Sequence, residues 1–192
     1  MTRETRTLSR RLEVRAGESG RTIVGYAAVF NSQTVIGENY QEIIAPGAFA
    51  SAMGADVRAL FDHDSGRVIG RTTAGTLRLR EDATGLAVEI DLPDTSDGRD
   101  LGVLIERGDI TGMSFGFNVT KQGWDETGPI PTRTIQAVDL HEVSVVAFPA
   151  YPDTAIALRS LDEARRERRK HNFSAAAQRV RMKVSLDLRS RR

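Results

Sequence analysis

The segment from Asp109 to Asn118 constrains the fold more than any other part of this chain, because its side chains alternate between two very different faces. Read as a strand of period two, it has one apolar face, formed by Met113, Phe115 and Phe117. The opposite face is formed by Gly112, Ser114 and Gly116. The apolar face suits a core, whereas the bare face lets a peptide backbone approach with Ser114 as its only reactive group. The alternative is a glycine-flanked strand packed under another backbone, in which Ser114 has no chemical role.

A serine hydroxyl needs a nearby base before it can act as a nucleophile, and the chain has three histidines. His171 lies in a charged tail and is a poor candidate. His63 ends the strand-like run that starts at Val57, and an aspartate lies on either side of it. The alternative interpretation is that His63 is a solvated turn residue. His141 lies next to Glu142 in a third strand-like run. The order of His, then Ser, then Glu or His is permitted, because triads are recognised by geometry and role.

Several short motifs occur along the chain in one order. The first are Gly25–Phe30, Phe61–Asp64, Gly70–Arg71 with Gly75–Leu77, and Gly85–Leu86 with Leu92–Pro93. The later ones are Glu106–Ile110, Gly112–Phe117, Glu142–Val145 and Pro149–Tyr151. This ordered set, which runs from about Leu12 to about Leu158, resembles the prohead proteases of tailed phages, serine peptidases related to herpesvirus assemblin.

The resemblance implies that His63 is the base and Ser114 the nucleophile. The prohead branch uses the Glu of its Glu-Val-Ser motif as the third member, here Glu142, whereas assemblin-type enzymes use a second His, here His141. Adjacent strand residues point to opposite faces, so only one of the two faces the catalytic pair. Both faces of this strand carry apolar residues, so the pattern leaves the choice open, and the motif favours Glu142.

The resemblance also implies substrates, partners and a location. The substrates are the scaffolding segment of the major capsid protein precursor, other internal prohead proteins and the protease itself. Cleavage takes place in the host bacterial cytoplasm, inside the assembling prohead, and a homo-oligomer of two or more copies is expected. A non-enzymatic capsid scaffold that retains the fold, and a small β-barrel binding module, are the alternative functions.

Composition excludes several classes of chemistry. The chain has no cysteine, so disulfides, thiol catalysis and thiolate metal sites are absent. Its histidines are scattered and form no His-Glu-x-x-His motif, which argues against a metalloenzyme. No apolar run reaches the roughly 18 residues that span a bilayer, and residues 1–7 have no signal-peptide core. We therefore expect a soluble cytoplasmic protein without cofactor, metal or membrane partner.

The body of the chain is predicted to be mainly β with a few helices (α+β), forming an assemblin-like closed or nearly closed β-barrel flanked by short helices. Residues 77–80 and 86–90 alternate as a hairpin, and 23–30 and 41–44 are further strand candidates. Residues 46–53 predict a short helix. Residues 97–107 predict a helix capped by Gly108. The sequence leaves two candidate sources of hydrogen-bond donors for the oxyanion: the backbone amides of residues 147–151 and the side chain of Arg71.

The chain is predicted to have three parts: a flexible N-terminus (1–10), a serine protease β-barrel domain (11–158) and a basic, partly helical or disordered tail (159–192). The tail holds 12 Lys or Arg and 4 Asp or Glu, a net charge of +8. The other residues then carry 15 basic and 22 acidic side chains, a net charge of −7. A solvated tail is one interpretation; docking on acidic scaffold, or non-specific binding of nucleic acid, is the other.

Overall fold

The computed structural model describes residues 3–9, 12–17, 20–36, 40–147, 165–166 and 169–170. The chain divides into two compact units, Met1–Asp153 and Thr154–Arg192. In the second unit, the described residues 165–166 and 169–170 are helical. The predicted boundary between the protease domain and the tail, at 158, lies outside the described residues and stays a prediction.

The described part of the first unit is mainly β, as predicted, and contains eleven strands. They are β1 (Glu4–Ser9), β2 (Glu13–Gly17), β3 (Gly20–Val29), β4 (Thr34–Ile36), β5 (Tyr40–Ile44), β6 (Arg58–Phe61), β7 (Asp64–Arg71), β8 (Leu77–Glu81), β9 (Gly85–Asp91), β10 (Gly112–Asp125) and β11 (Thr132–Val146). Its helices are α1 (Ser96–Arg107) and the 3₁₀ helices Ala50–Gly54 and Thr72–Ala74.

The described strands form two sheets. The larger has the order β1-β10-β11-β5-β4, and β6, which carries β7, also pairs with β11. The smaller has the order β2-β3-β9-β8. A closed barrel is not seen among the described strands, because β1, β4 and β7 end the larger sheet without pairing to the smaller one.

The apolar face predicted for β10 is confirmed. Met113, Phe115 and Phe117 are buried in the main core cluster. Phe115 stacks on Phe117 with ring centroids 4.8 Å apart and meets the Phe49 ring edge-on at 5.4 Å. Such aromatic contacts add to the free energy gained from burying apolar area, so they hold β10 in one register against the core.

Elements with strong local signals form as predicted. The β8–β9 hairpin closes through Asp82, whose carboxylate accepts bonds from the amides of Thr84 and Gly85. Helix α1 begins at a Thr95 cap and ends at Gly108, where φ is 82°. The short helix predicted at 46–53 is instead a turn followed by the 3₁₀ helix Ala50–Gly54.

The N-terminal segment differs from its prediction as a flexible end. Glu4–Ser9 form β1, which pairs antiparallel with β10. Two charged side chains of β1 have buried partners: Glu4 binds Arg133, and Arg6 binds Glu42. These partners lie 129 and 36 residues away along the chain, which is why the local sequence does not reveal them.

Candidate active site

Three neighbouring strands bring the predicted site residues to one region of the larger sheet. On the central pair, Ser114 of β10 lies opposite Ser144 of β11, and Gly116 lies opposite Glu142. Strand β6 pairs with the other edge of β11, and the turn that follows it carries His63. The candidate site therefore spans β10, β11 and the β6–β7 turn.

His63 is held in a tight turn rather than at the end of a strand, where the sequence pattern had put it. Asp62 and His63 form the two-residue connection between β6 and β7, with φ of 54° and 60°. Positive φ at both positions is the signature of a type I′ hairpin turn, and Asp and His tolerate it better than most residues. The Asp62 amide donates to the Val145 carbonyl at 2.9 Å and ties the turn to β11.

A bulge in β11 separates Glu142 from His141. Gly116 pairs with Glu142, but Phe117 pairs with Leu140, so His141 is the extra residue. His141 is exposed, whereas Glu142 is 3% exposed. Glu142 lies against His63: Nδ1 of His63 is 2.8 Å from Oε1 of Glu142.

The Glu142 carboxylate is bound from three sides. Besides His63, the buried hydroxyl of Ser144 donates to Oε2 at 2.6 Å, and the Arg3 guanidinium donates to Oε1 at 2.8 Å. Burial by itself raises the pKa of Glu142, but the hydrogen bonds from His63 and Ser144 and the charges of His63 and Arg3 outweigh it. The pKa of Glu142 is therefore lowered, and the group is ionised at neutral pH.

An ionised carboxylate only accepts hydrogen bonds, so the proton of the contact belongs to Nδ1 of His63. In the neutral imidazole, Nε2 is then the unprotonated nitrogen. Glu142 thus selects the tautomer that presents a basic Nε2, which is what activation of a serine hydroxyl requires.

Ser114 is fully buried, and its hydroxyl faces β1. Its Oγ donates to the backbone carbonyl of Arg6 at 2.9 Å and accepts from the Thr7 hydroxyl at 3.1 Å. Thr7 is the residue paired with Ser114 across the β1–β10 ladder. Within the described residues, no hydrogen bond joins Ser114 to His63.

Gly116 leaves the space that the Glu142 carboxylate occupies. A Cβ built on Gly116 would lie 2.5 Å from Oε1 of Glu142 and 2.7 Å from an Arg3 nitrogen. The face without side chains that the sequence predicted therefore provides, at Gly116, the space for the Glu142 carboxylate and the Arg3 guanidinium. Real Cβ atoms essentially never come so close to another heavy atom, so a larger residue at this position requires the Glu142 carboxylate and the Arg3 guanidinium to shift.

Three residues at the site were not assigned a role from the sequence: Arg3, Thr7 and Ser144. Ser144 had a local signal, because in a strand a residue two positions from Glu142 lies on the same face. Arg3 and Thr7 had none, since their places depend on the pairing of β1 with β10. The sequence left two sources of oxyanion donors open. One of them, Arg71, forms a bidentate pair with Asp56. Of the other, the backbone amides of 147–151, residues 148–151 lie outside the described residues.

In the described part of the chain, no three His, Asp or Glu side chains gather as they would around a metal ion. None of the described helices is long and apolar enough to cross a membrane.

Comparisons of the sequence and of the fold with known proteins both match proteases of phage capsid assembly. The model of the caudovirus prohead serine protease family matches residues 10–167. The prohead protease of Enterobacteria phage HK97 is 37% identical over 148 residues, which cover 72% of this chain and 60% of that protein. The match thus spans less than two thirds of the relative.

A solved structure supports the same fold at low sequence identity. The bacteriophage T4 capsid assembly protease superposes with a TM-score of 0.53 and 13% identity, covering 77% of this chain and 98% of that one. This likeness concerns the fold alone. Together with the family match over residues 10–167, these findings show that the chain belongs to the caudovirus prohead serine protease family.

Proposed function

We propose that this protein is a serine endopeptidase that matures the phage prohead, with Ser114 as nucleophile, His63 as general base and acid, and Glu142 as the group that orients His63. The observation that carries the assignment is the 2.8 Å contact between Nδ1 of His63 and Oε1 of the buried Glu142, which leaves Nε2 basic. The family's description as serine proteases supports the same reaction class.

The reaction follows from these roles. Ser114 Oγ attacks the carbonyl carbon of a peptide bond, its proton passes to Nε2 of His63, and the carbonyl electrons move to the oxygen. When the tetrahedral intermediate collapses, the carbon–nitrogen bond breaks and Nε2 gives its proton to the leaving amine. Water then attacks the acyl-enzyme by the same proton route and releases Ser114. Glu142 accepts the hydrogen bond from Nδ1–H, so that this proton stays on His63, and it stabilises the imidazolium each time Nε2 takes up a proton.

The substrates proposed are the scaffolding segment of the major capsid protein precursor, internal prohead proteins and the protease itself. Support comes from the names of the relatives, a prohead protease of phage HK97 and a capsid assembly protease of phage T4. Action inside the assembling prohead, as a homo-oligomer, belongs to the same proposal.

Reaction with a fluorophosphonate probe, followed by peptide mapping, tests the assignment, because only an activated serine reacts. We expect modification of Ser114 and none in Ser114→Ala or His63→Ala. Each variant should lose about 10⁴-fold or more in cleavage of a co-expressed capsid precursor, and the double variant little more, because triad members act as a unit. Near-normal cleavage by either single variant contradicts the proposal and favours the non-enzymatic scaffold.

A further inference from the structure

Ser144 lies two residues after Glu142 on β11 and is fully buried. Residues two apart on a strand lie on the same face, so the Ser144 hydroxyl is close to the Glu142 carboxylate. Its Oγ donates to Oε2 at 2.6 Å, a short distance that is typical of a hydroxyl bound to an ionised carboxylate. Ser144 therefore binds directly to the group that orients His63.

The two oxygens of the Glu142 carboxylate have different partners. Oε1 is 2.8 Å from Nδ1 of His63 and accepts a bond from Arg3 at the same distance. Among the described residues, Oε2 has a single partner, the Ser144 hydroxyl. A buried charged oxygen that loses its donor is costly, so this bond determines which oxygen turns toward His63. Ser144 thereby sets the rotation of the carboxylate about its last bond.

Of the three partners of Glu142, Ser144 has the most firmly held backbone. At this position β11 is paired on both edges, with Ser114 of β10 on one side and Leu60 of β6 on the other. His63 lies in a two-residue turn, and the side chain of Arg3 is 52% exposed. Turns and exposed ends open more readily than strands that are paired on both edges. The Ser144 bond therefore persists when the other two partners move.

The reaction requires a carboxylate that keeps one position. His63 gains and loses a charge as Nε2 takes up a proton and returns it. A carboxylate already fixed through Oε2 needs no rearrangement while that charge develops. Burial raises the pKa of Glu142, and the hydrogen bonds from His63 and Ser144 are the strongest effects that lower it. Ser144 thus also helps to keep Glu142 ionised.

We propose that Ser144 is a positioning residue of the active site, whose hydroxyl holds the Glu142 carboxylate so that Oε1 faces Nδ1 of His63. Ser144 lies directly opposite Ser114 in the β10–β11 ladder, so two neighbouring serines have separate roles. Ser114 reacts with the substrate, whereas Ser144 acts through Glu142. The inference rests on the proposed function, because it assigns a further residue to the same reaction.

Ser144→Ala tests this role, with Ser51→Ala as the matched control. The Ser51 hydroxyl also donates to β11, to the Val138 carbonyl at 2.6 Å, but from the 3₁₀ helix Ala50–Gly54. In Ser144→Ala, kcat should fall about 10- to 100-fold because a displaced carboxylate misaligns His63, and KM should stay within about threefold. The control should keep kcat within about twofold. Equal kcat values for the two variants would overturn the proposal.

A second pair of variants separates the hydroxyl from the packing of the side chain. Ser144→Thr and Ser144→Val have nearly the same shape and differ in the hydroxyl group. The added methyl group disturbs both variants alike, so the ratio of their kcat values reports the hydrogen bond. We expect the kcat of the Thr variant to be at least about 10-fold higher. A ratio of one would assign Ser144 to packing alone.

A spectroscopic readout separates this inference from the proposed function. In a Ser114→Ala chain, which needs no turnover, the Nδ1 proton of His63 should resonate downfield of the amides and be assigned by its loss on adding His63→Ala. Adding Ser144→Ala should move this resonance upfield and speed its exchange with water, whereas Ser51→Ala should leave it unchanged. This shift, in a protein that shows no peptidase activity in any form, would keep the positioning role and refute the peptidase assignment. An active protein whose resonance and kcat are unchanged by Ser144→Ala would overturn this inference alone.

Discussion

Glu142 owes its place at the site to a bulge one residue wide. The extra residue at His141 leaves that imidazole exposed and aims the following carboxylate at His63. Bulges of this kind often lie next to active sites, where they redirect a single side chain. The geometry therefore favours the arrangement with Glu142 as the group that orients His63.

Substitution of the two neighbours distinguishes the alternatives. Glu142→Gln should lower kcat/KM by orders of magnitude, about 10³-fold or more, because an amide no longer fixes the Nδ1–H tautomer. His141→Gln is the matched control on the adjacent residue and should stay within about threefold. A larger loss in the control would support the two-histidine arrangement, and mild losses in both would indicate a Ser-His dyad.

Gly116 is a second single residue with a specific prediction. In Gly116→Ala the new methyl group competes with Oε1 of Glu142, so activity should fall by about 10²-fold or more. Gly123→Ala is the control on the same strand, because its Cβ would meet only an ordinary contact at 3.6 Å. Peptidase assays and melting curves of both variants check this. Full activity in Gly116→Ala would mean that the carboxylate has another resting position.

Strand β1 depends on a buried cluster of four charges rather than on its own β propensity. Arg133 is 1% exposed and contacts both Glu4 and Glu42. Removal of one member of such a cluster leaves the others without a counter-charge, which costs far more than the loss of a surface pair.

The stability of Arg133→Ala measures that cost. We expect the free energy of unfolding in urea to fall by about 3–5 kcal/mol. Arg78→Ala removes an arginine that is 46% exposed and paired with Asp91 and Glu89, and should cost about 1 kcal/mol or less. Similar losses in the two variants would argue that the cluster is not desolvated.

The same cluster makes β1 sensitive to acid. Burial alone would raise the pKa of Glu4, but the hydrogen bond and charge of Arg133 and the charge of Arg6 lower it below the usual 4.5. A folded-state pKa below the unfolded value stabilises the protein above that value, and the contribution is lost as the pH falls through the lowered pKa. The stability difference between wild type and Glu4→Gln should be constant from pH 7 to about 5 and shrink below 4.5. A difference that persists unchanged at pH 3 would contradict this.

At the scale of the whole molecule, the charge is divided between a body of −7 and a tail of +8. The family match ends at residue 167, so a chain truncated before Lys170 retains all of it. We propose that the tail carries the protein into the prohead through acidic scaffold. The truncated form should cleave a peptide substrate at the wild-type rate but be incorporated into proheads less efficiently. Normal incorporation would reduce the tail to a solvated appendage.

Self-processing at this end is a further expectation of the proposed activity. An extended Arg-rich peptide can enter the site as a strand, so the wild-type chain should shorten from its C-terminus over time while Ser114→Ala stays full length. Intact-mass measurements on both forms check this. Equal trimming of the two would assign the loss to another protease.

The sequence by itself determined the elements whose signals are local. The alternation in β10 identified its core face, the alternation in residues 77–80 and 86–90 identified the hairpin, and Gly108 marked the end of α1. These features depend on neighbours within a few residues, where backbone preference and side-chain periodicity decide the conformation. The ordered motifs also led to the family, and the family match later confirmed it.

Tertiary structure alone decided the features that depend on partners far along the chain. These are the bulge that exposes His141, the left-handed turn at His63 and the pairing of β1 with β10. Strand register and bulges depend on the partner strand, and buried charges are tolerated only where opposite charges converge from distant segments. The candidate nucleophile, Ser114, can therefore be identified from its own strand. The side chains around it come together only when β1 and β11 pair with β10 in the larger sheet.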